Sequence, residues 1–192
     1  MNSIEIGRPR TDDYKELTEF FSTVIKDTFA KEGLSSLHDD LKNEIVTKST
    51  YLHSDYDSNG ADRYFLIAKK GEKIVGTIEY GHSSDLIYRT TDGALKDVYE
   101  IGTVFVHPRY QSRGIGSLLL NIMVLTLMNR GIEEFCIDSG YANAQRVWTR
   151  KFGSPDYWLK DYWGKGYDQM IWRRNVRDVP IKFRSNLNGD IS

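Results

Sequence analysis

The chain has 192 residues with 26 basic and 27 acidic side chains, a formal net charge of −1, so it is long enough for one domain with a sizeable core and offers no broad cationic surface to nucleic acid. Its most apolar run, 118–128, is broken by Asn121 and Thr126 and is too short to cross a bilayer, and the polar start MNSIEIGRPR carries no hydrophobic secretion signal. A single cysteine, Cys136, excludes an intrachain disulfide framework and is expected in a reducing, cytoplasmic compartment.

In chain order, residues 3–9 alternate and predict a first strand, and a helical pattern from 11 to about 31 opens on the capping types Thr11 and Asp12 and closes at Gly33. A second helix is expected over 37–52, followed by a loop at 54–62 rich in Asp, Ser and Gly. Residues 63–70 and 74–80 read as a hairpin, and 81–96 as a long polar loop. The strongest strand signal is DVYEIGTVFVHP, 97–108. A helix from about 116 to 130 comes next, then a strand in EEFCIDS, a helix in ANAQRVWTRKFG, and a closing hairpin built from DYWLKDYW and YDQMIWRR. Helix, antiparallel strands, then strand–helix–strand imply a mixed α/β sheet.

The helix near 116 starts oddly. In RYQSRGIGSLLL, Gly114 and Gly116 stand directly ahead of the apolar run, with no Ser, Thr, Asp or Asn beside them as a cap. A helix start offers unpaired N–H groups and the positive end of the dipole, and glycines let an anion touch that backbone. Gln111 and Arg113 add side-chain donors at the same mouth. A ligand phosphate in place of the cap and a plain tight turn wetted by water both fit the pattern. A Walker loop would need Gly-Lys-Ser/Thr, and a dinucleotide fingerprint a third glycine where Leu119 stands, so both common nucleotide motifs are excluded.

The stretch VHPRYQSRGIGSLLL resembles motif A of the GNAT superfamily of acyl-CoA-dependent N-acetyltransferases, where Q/R-x-x-G-x-G/A follows the central strand and holds the coenzyme A pyrophosphate. Gln111, Gly114 and Gly116 stand at the matching places, and the element order over residues 4–174 is similar to the family's. The resemblance implies a GNAT-like fold, a mixed and mostly antiparallel sheet flanked by helices, with one acyltransferase domain over 1–174 and a polar tail over 175–192, loose or docked elsewhere. It implies acetyl-CoA as co-substrate, held by the loop Gln111, Ser112, Arg113, Gly114, Ile115, Gly116 and Ser117. The backbone of Val104, Phe105 and Val106 would bind the acyl and pantetheine portions, and Asn143 would meet the pantetheine arm. As a bare residue at a helix start, Asn143 is equally an N-cap.

By alternation, Val98, Glu100, Gly102, Val104 and Val106 share one face of the central strand, and Glu100 is its only charge. A desolvated carboxyl has a raised pKa, which suits a general base for an ammonium substrate. The family's histone-acetylating branch has a glutamate eleven positions before the motif glutamine, which is Glu100 here. A glutamate paired with arginine or facing a wet opening is the competing reading of that residue, and Glu79 on the neighbouring strand is the second choice of base. The implied reaction is direct attack of a primary amine on the thioester in a ternary complex. Trp148 stands where many members carry the tyrosine acid, and an indole is no usable acid. The thiolate would then take its proton from water or from a neighbouring tyrosine, Tyr141 or Tyr157 being nearest in sequence, though each also reads as a packing residue. Cys136 reads as a small core residue, and the four histidines lack metal-ligand spacing, so no metal is expected. Asp55, Asp57, Asp62, Asp85 and Asp92 crowd loops near the expected mouth, where they would favour a cation. The acceptor is expected to be a small-molecule or peptide amine, with no nucleic-acid or membrane partner and a homodimer left open. Two other readings stay open: a non-catalytic acyl-CoA-binding sensor or interaction module of the same fold, and a binding protein for another phosphorylated ligand.

Overall fold

The β-branched and aromatic runs form seven strands in a computed structural model, which describes residues 3–183. They are β1 (Glu5–Gly7), β2 (Arg63–Lys70), β3 (Lys73–His82), β4 (Tyr99–Val106), β5 (Glu134–Ser139), β6 (Tyr157–Leu159) and β7 (Gln169–Asn175). They make one sheet in the order β1-β2-β3-β4-β5-β7-β6, antiparallel throughout except for the β4–β5 pair. Five helices flank it: α1 (Tyr14–Lys31), α2 (His38–Asp57), α3 (Asp85–Thr90), α4 (Ile115–Asn129) and α5 (Ala142–Phe152). The mixed, mostly antiparallel sheet between helices agrees with the expected fold.

Each face of the sheet has its own core. Leu17, Phe20, Phe21, Val24 and Phe29 of α1 and Leu52 of α2 bury against Phe65, Ile67 and Ile74. On the other face, Leu119, Met123, Val124 and Leu127 of α4 pack on Ala68, Ile78 and Ile101, joined by Trp148 of α5. Each such side chain contributes about 1.5–3 kcal/mol on burial, so the two helical layers fix the sheet between them.

Several sequence expectations change here. Neither Thr11 nor Asp12 caps α1: they form a 3₁₀ turn with Asp13, whose carboxylate accepts the Arg10 N–H at 2.9 Å and binds Lys69 Nζ at 2.6 Å. The second helix runs to Asp57 rather than 52, because Asp55 is fully buried, accepts the Phe65 N–H at 2.8 Å and pairs with Arg8 at 2.7 Å. A polar-loop reading of 54–62 could not foresee a carboxylate used as an anchor. The loop at 81–96 contains α3, opened by the Ser84 side chain accepting the Ile87 N–H and held by the fully buried Ile87 and Leu95. The closing hairpin forms, with Leu159 paired to Gln169, so its loop spans 160–168 rather than the GKG turn alone. Past β7, Val176 is buried and Asn121 Nδ2 donates to the Lys182 carbonyl at 2.8 Å, which places 176–183 along α4. The rest of the polar tail, 184–192, lies outside the described residues.

Candidate functional site

β4 and β5 pair only at Tyr99↔Phe135 and Glu100↔Cys136. Beyond that point β5 continues along β7 as far as Ser139↔Met170, while β4 continues along β3, so the two parallel strands splay. The edge of β4 past Glu100 therefore has no strand partner on this side. A bulge sharpens the opening: β3 advances two residues from Thr77 to Glu79 while β4 spends three between Phe105 and Gly102. Thr103 absorbs the extra residue at φ +48°, with its hydroxyl donating to Glu79 Oε1 at 3.1 Å and its carbonyl accepting from Thr77 Oγ1 at 2.9 Å. The bulge overturns the expectation that Val98, Glu100, Gly102, Val104 and Val106 share one face. Val104 and Val106 pack with the α4 core, Phe105 turns to Phe21 of α1, and Glu100 opens to a cavity.

That cavity, about 720 Å³, lies in the splay. Aromatic side chains from several segments wall it, among them Phe29, Tyr141, Trp148 and Trp163. Its carboxylates are Glu100, Asp138, Glu44 and Asp40, with Lys48 among them. Asp55, Asp57, Asp62, Asp85 and Asp92 do not line it. Asp55 is consumed by Arg8, and Asp57 and Asp85 belong to helices, so acidic loop composition pointed to the wrong residues.

Glu100 is 8% exposed, and its Oε2 accepts the Ser84 N–H at 2.7 Å. Burial, reinforced by the charges of Asp138 and Glu79, pushes its carboxyl up to about 8. Glu79 has a different environment: 1% exposed, paired with Arg63 at 2.6 Å and hydrogen-bonded by Thr103. A Cβ at Gly102 would come within 2.5 Å of Glu79 Oε1 and 3.8 Å of Glu100 Oε1, so glycine is what leaves room for both acids. Asp138 on β5 accepts Gln169 Nε2, and burial raises its carboxyl. Burial alone would lower the Lys48 ammonium, but Glu44, Glu79 and Glu100 outweigh it and raise it. No local motif marked Asp138, Lys48, Glu44 or Gln169; only the splay brings them to Glu100.

Tyr141 lines the cavity and donates to Glu44, and burial followed by that charge pushes its phenol above the ordinary range. Tyr157 packs instead beside Ile87 and Ile171. Trp148, 7% exposed, stacks on Phe152 at 5.8 Å and is part of the cavity's lining. Cys136 is fully buried, and burial raises its thiol.

The loop between β4 and α4 is built differently. Gly114 is the N-cap residue of α4 at φ +85°, a conformation that favours glycine, and no side chain caps the helix. Ser112 takes φ +60°. Gln111 does not point outward alone: its Nε2 donates to the Val106 carbonyl at 3.1 Å and its Oε1 accepts Lys31 Nζ at 2.9 Å. Lys151 Nζ donates to Ser117 Oγ at 2.9 Å, and Arg113 lies 5.4 Å from the Tyr110 ring centre. Ile115 is buried under the helix start, while Gly116 faces Val106 with a would-be Cβ contact of 3.5 Å. Lys31, which also pairs with Asp27 at 2.6 Å, Arg113 and Lys151 thus stand at the loop that carries the uncapped amides, and Lys31 and Lys151 were not singled out by the motif. Asn143 is not an N-cap. Tyr141 holds that position, and Glu32 from the end of α1 accepts the Ala142 N–H at 3.1 Å and the Asn143 N–H and Nδ2 at 2.9 and 2.7 Å.

A family model described as acetyltransferase (GNAT) family matches residues 31–153. Among solved structures, a candidate GNAT acetyltransferase from Desulfovibrio desulfuricans is similar with a TM-score of 0.69 at 18% identity, covering 91% of this chain and 99% of that one. The PaiA N-acetyltransferase of Thermoplasma acidophilum, solved with coenzyme A, gives a TM-score of 0.64 at 18% identity over 90% and 99% of the two chains. The ribosomal-protein-alanine N-acetyltransferase of Brucella melitensis gives 0.64 at 18% over 89% and 99%. No curated protein sequence matches significantly.

Proposed function

The chain belongs to the acetyltransferase (GNAT) family, and from that premise we propose that it transfers an acetyl group from acetyl-CoA to a primary amine. The observation that carries this reading is the raised, cavity-facing Glu100 carboxyl where the open edge of β4 begins, on the strand that leads into an uncapped helix start. The neighbour solved with coenzyme A shares the fold that creates that edge.

The chain's own residues divide the work. The amides at Gly114–Ser117, with Arg113, Lys31 and Lys151 beside them, fit the pyrophosphate of the coenzyme, since uncapped N–H groups and the helix dipole both favour an anion. The unpaired edge at Val104, Phe105 and Val106 fits the pantetheine and acyl portions, and its free N–H groups suit the charge that grows on the thioester oxygen. Asn143 lies at the start of α5, where the pantetheine arm would leave the splay. Glu100 removes a proton from the amine, and its pKa near neutrality matches that task. Glu79, neutralised by Arg63, sets the field around Glu100 rather than acting as the base. Trp148 shapes the wall, and the leaving thiolate takes its proton from water or from the amine nitrogen itself.

Mass spectrometry of a library of small amines and peptides incubated with the protein and acetyl-CoA tests this reading. Acetylation of at least one amine, lost in Glu100→Gln, is the expected result. Binding of coenzyme A without transfer to any acceptor would instead identify a non-catalytic acyl-CoA-binding module.

A further inference from the structure

Two carboxylates meet at the splay, and each keeps one oxygen uncommitted. Glu100 Oε2 accepts the Ser84 N–H, and Asp138 Oδ2 accepts Gln169 Nε2. Gln169 is 1% exposed, and its amide oxygen is fixed by Trp163 Nε1 at 2.8 Å, so its orientation, and with it that of Asp138, is set from the hairpin loop. Among the described residues, Glu100 Oε1 and Asp138 Oδ1 have no protein donor, and no buried side-chain oxygen is left unsatisfied. The two free oxygens therefore open to the cavity both residues line. Glu100 pairs with Cys136, and Asp138 follows two residues later on the same side of β5, across the opening from Glu100.

Resting on the transferase reading above, we propose that Asp138 and Glu100 form a two-carboxylate clamp for the acceptor nitrogen, in which Asp138 holds a primary alkylammonium and Glu100 takes its proton. A primary ammonium has three N–H groups. Two meet the free oxygens, and loss of one proton to Glu100 frees the lone pair. The lone pair forms the C–N bond to the acetyl carbon, the C–S bond breaks, and coenzyme A leaves as a thiolate that takes the second proton shed by nitrogen. A tertiary ammonium lacks the second donor, and an alcohol lacks the charge. The aromatic walls Phe29, Tyr141 and Trp163 suit the alkyl portion. Other groups facing the clamp do not replace it. Glu79 on β3 is occupied by Arg63 and Thr103, and Cys136 is buried beneath; from α2, Lys48 offsets the acids, Glu44 carries the Tyr141 hydroxyl on one oxygen, Asp40 is exposed, and Tyr51 lies under Arg63 at 3.7 Å.

The full chain with ¹³C-labelled carboxyl groups, followed by NMR, reads the clamp without any turnover. Glu100 should titrate near pH 8 in the wild type. Asp138→Asn keeps an acceptor for Gln169 but removes the like charge, so the Glu100 midpoint should fall by about one pH unit. A midpoint unchanged within a few tenths would overturn the coupling. At pH 9, n-butylammonium chloride should bind the wild type and bind Asp138→Asn about tenfold more weakly, while 1-butanol, which lacks the charge, should bind neither. Equal binding by the two proteins, or none by the wild type, would overturn the clamp. If both effects appear while no amine is acetylated from acetyl-CoA, the transferase reading fails and the clamp stands.

Discussion

At the mouth of α4 the chain presents backbone, while inside the β4–β5 opening it presents side chains. The mouth is one contiguous loop, 111–117, with uncapped amides and with Lys31, Arg113 and Lys151 on or beside it. The cavity is acidic and takes its walls from α1, α2, β4, β5, α5 and the hairpin loop. A phosphate-bearing handle is common to many reactions, so a local motif can serve it. An acceptor is particular, and its recognition is spread over segments as far apart as Phe29 and Gln169. The two ends also differ in tolerance: a surface loop can lose its ligand without losing the fold, whereas the buried acids are tied to the sheet.

The sharpest test of the loop is Gly116→Asp. Its Cβ has room, but its carboxylate would lie among the amides meant for an anion, so coenzyme A affinity should fall by about a thousandfold while the circular dichroism spectrum is kept. Gly116→Ala, by contrast, should bind nearly as the wild type does, and calorimetry separates the two cases.

At the cavity end, Glu100→Gln should lower kcat by about 10²–10⁴ with coenzyme affinity unchanged. The wild-type rate should rise with pH through an inflection near 8, where Glu100 ionises, and the variant should lose that limb. The same group carries a stability signature. Its carboxyl lies at about 8 in the folded chain against 4.5 for a free glutamate, so its contribution is complete below about 4.5 and is lost as pH rises through 8. Melting temperatures of Glu100→Gln should decline less over that window.

Arg63→Met tests whether Glu79 is an anchor. It leaves a carboxylate that is 1% exposed without its cation and should cost about 3–5 kcal/mol in urea unfolding, with Glu79→Gln recovering part of the loss in the double variant. Trp148→Ala should cost a similar 3–5 kcal/mol by emptying the stack on Phe152. The smallest effect belongs to Trp148→Phe, whose kcat should stay within about tenfold, because only shape and one weak donor change. A thousandfold drop there, with coenzyme binding intact, would show the indole taking part in chemistry.

What the sequence determined by itself was whatever depends on neighbours along the chain. Period-two and helical patterns set the bounds of β2, Arg63–Lys70, and of α5, Ala142–Phe152, and the two glycines without a cap marked the open start of α4. Glu100 was singled out because a lone charge on a strongly apolar strand is visible locally. Its neighbours were not. The bulge at Thr103 reverses the alternation that placed Val104 beside Glu100, and a single extra residue leaves no trace in composition. α3 was hidden in a polar stretch because its stability comes from Ile87 and Leu95 reaching a distant core. Asp55 reads as a loop acid and is a buried strut, while Asp138, one residue of the strand EEFCIDS with no signal of its own, faces the cavity. Only the tertiary structure could separate them, because a carboxylate's role is fixed by the partner that neutralises it: Arg8 lies 47 residues from Asp55, and Asp138 has an amide and an open cavity instead.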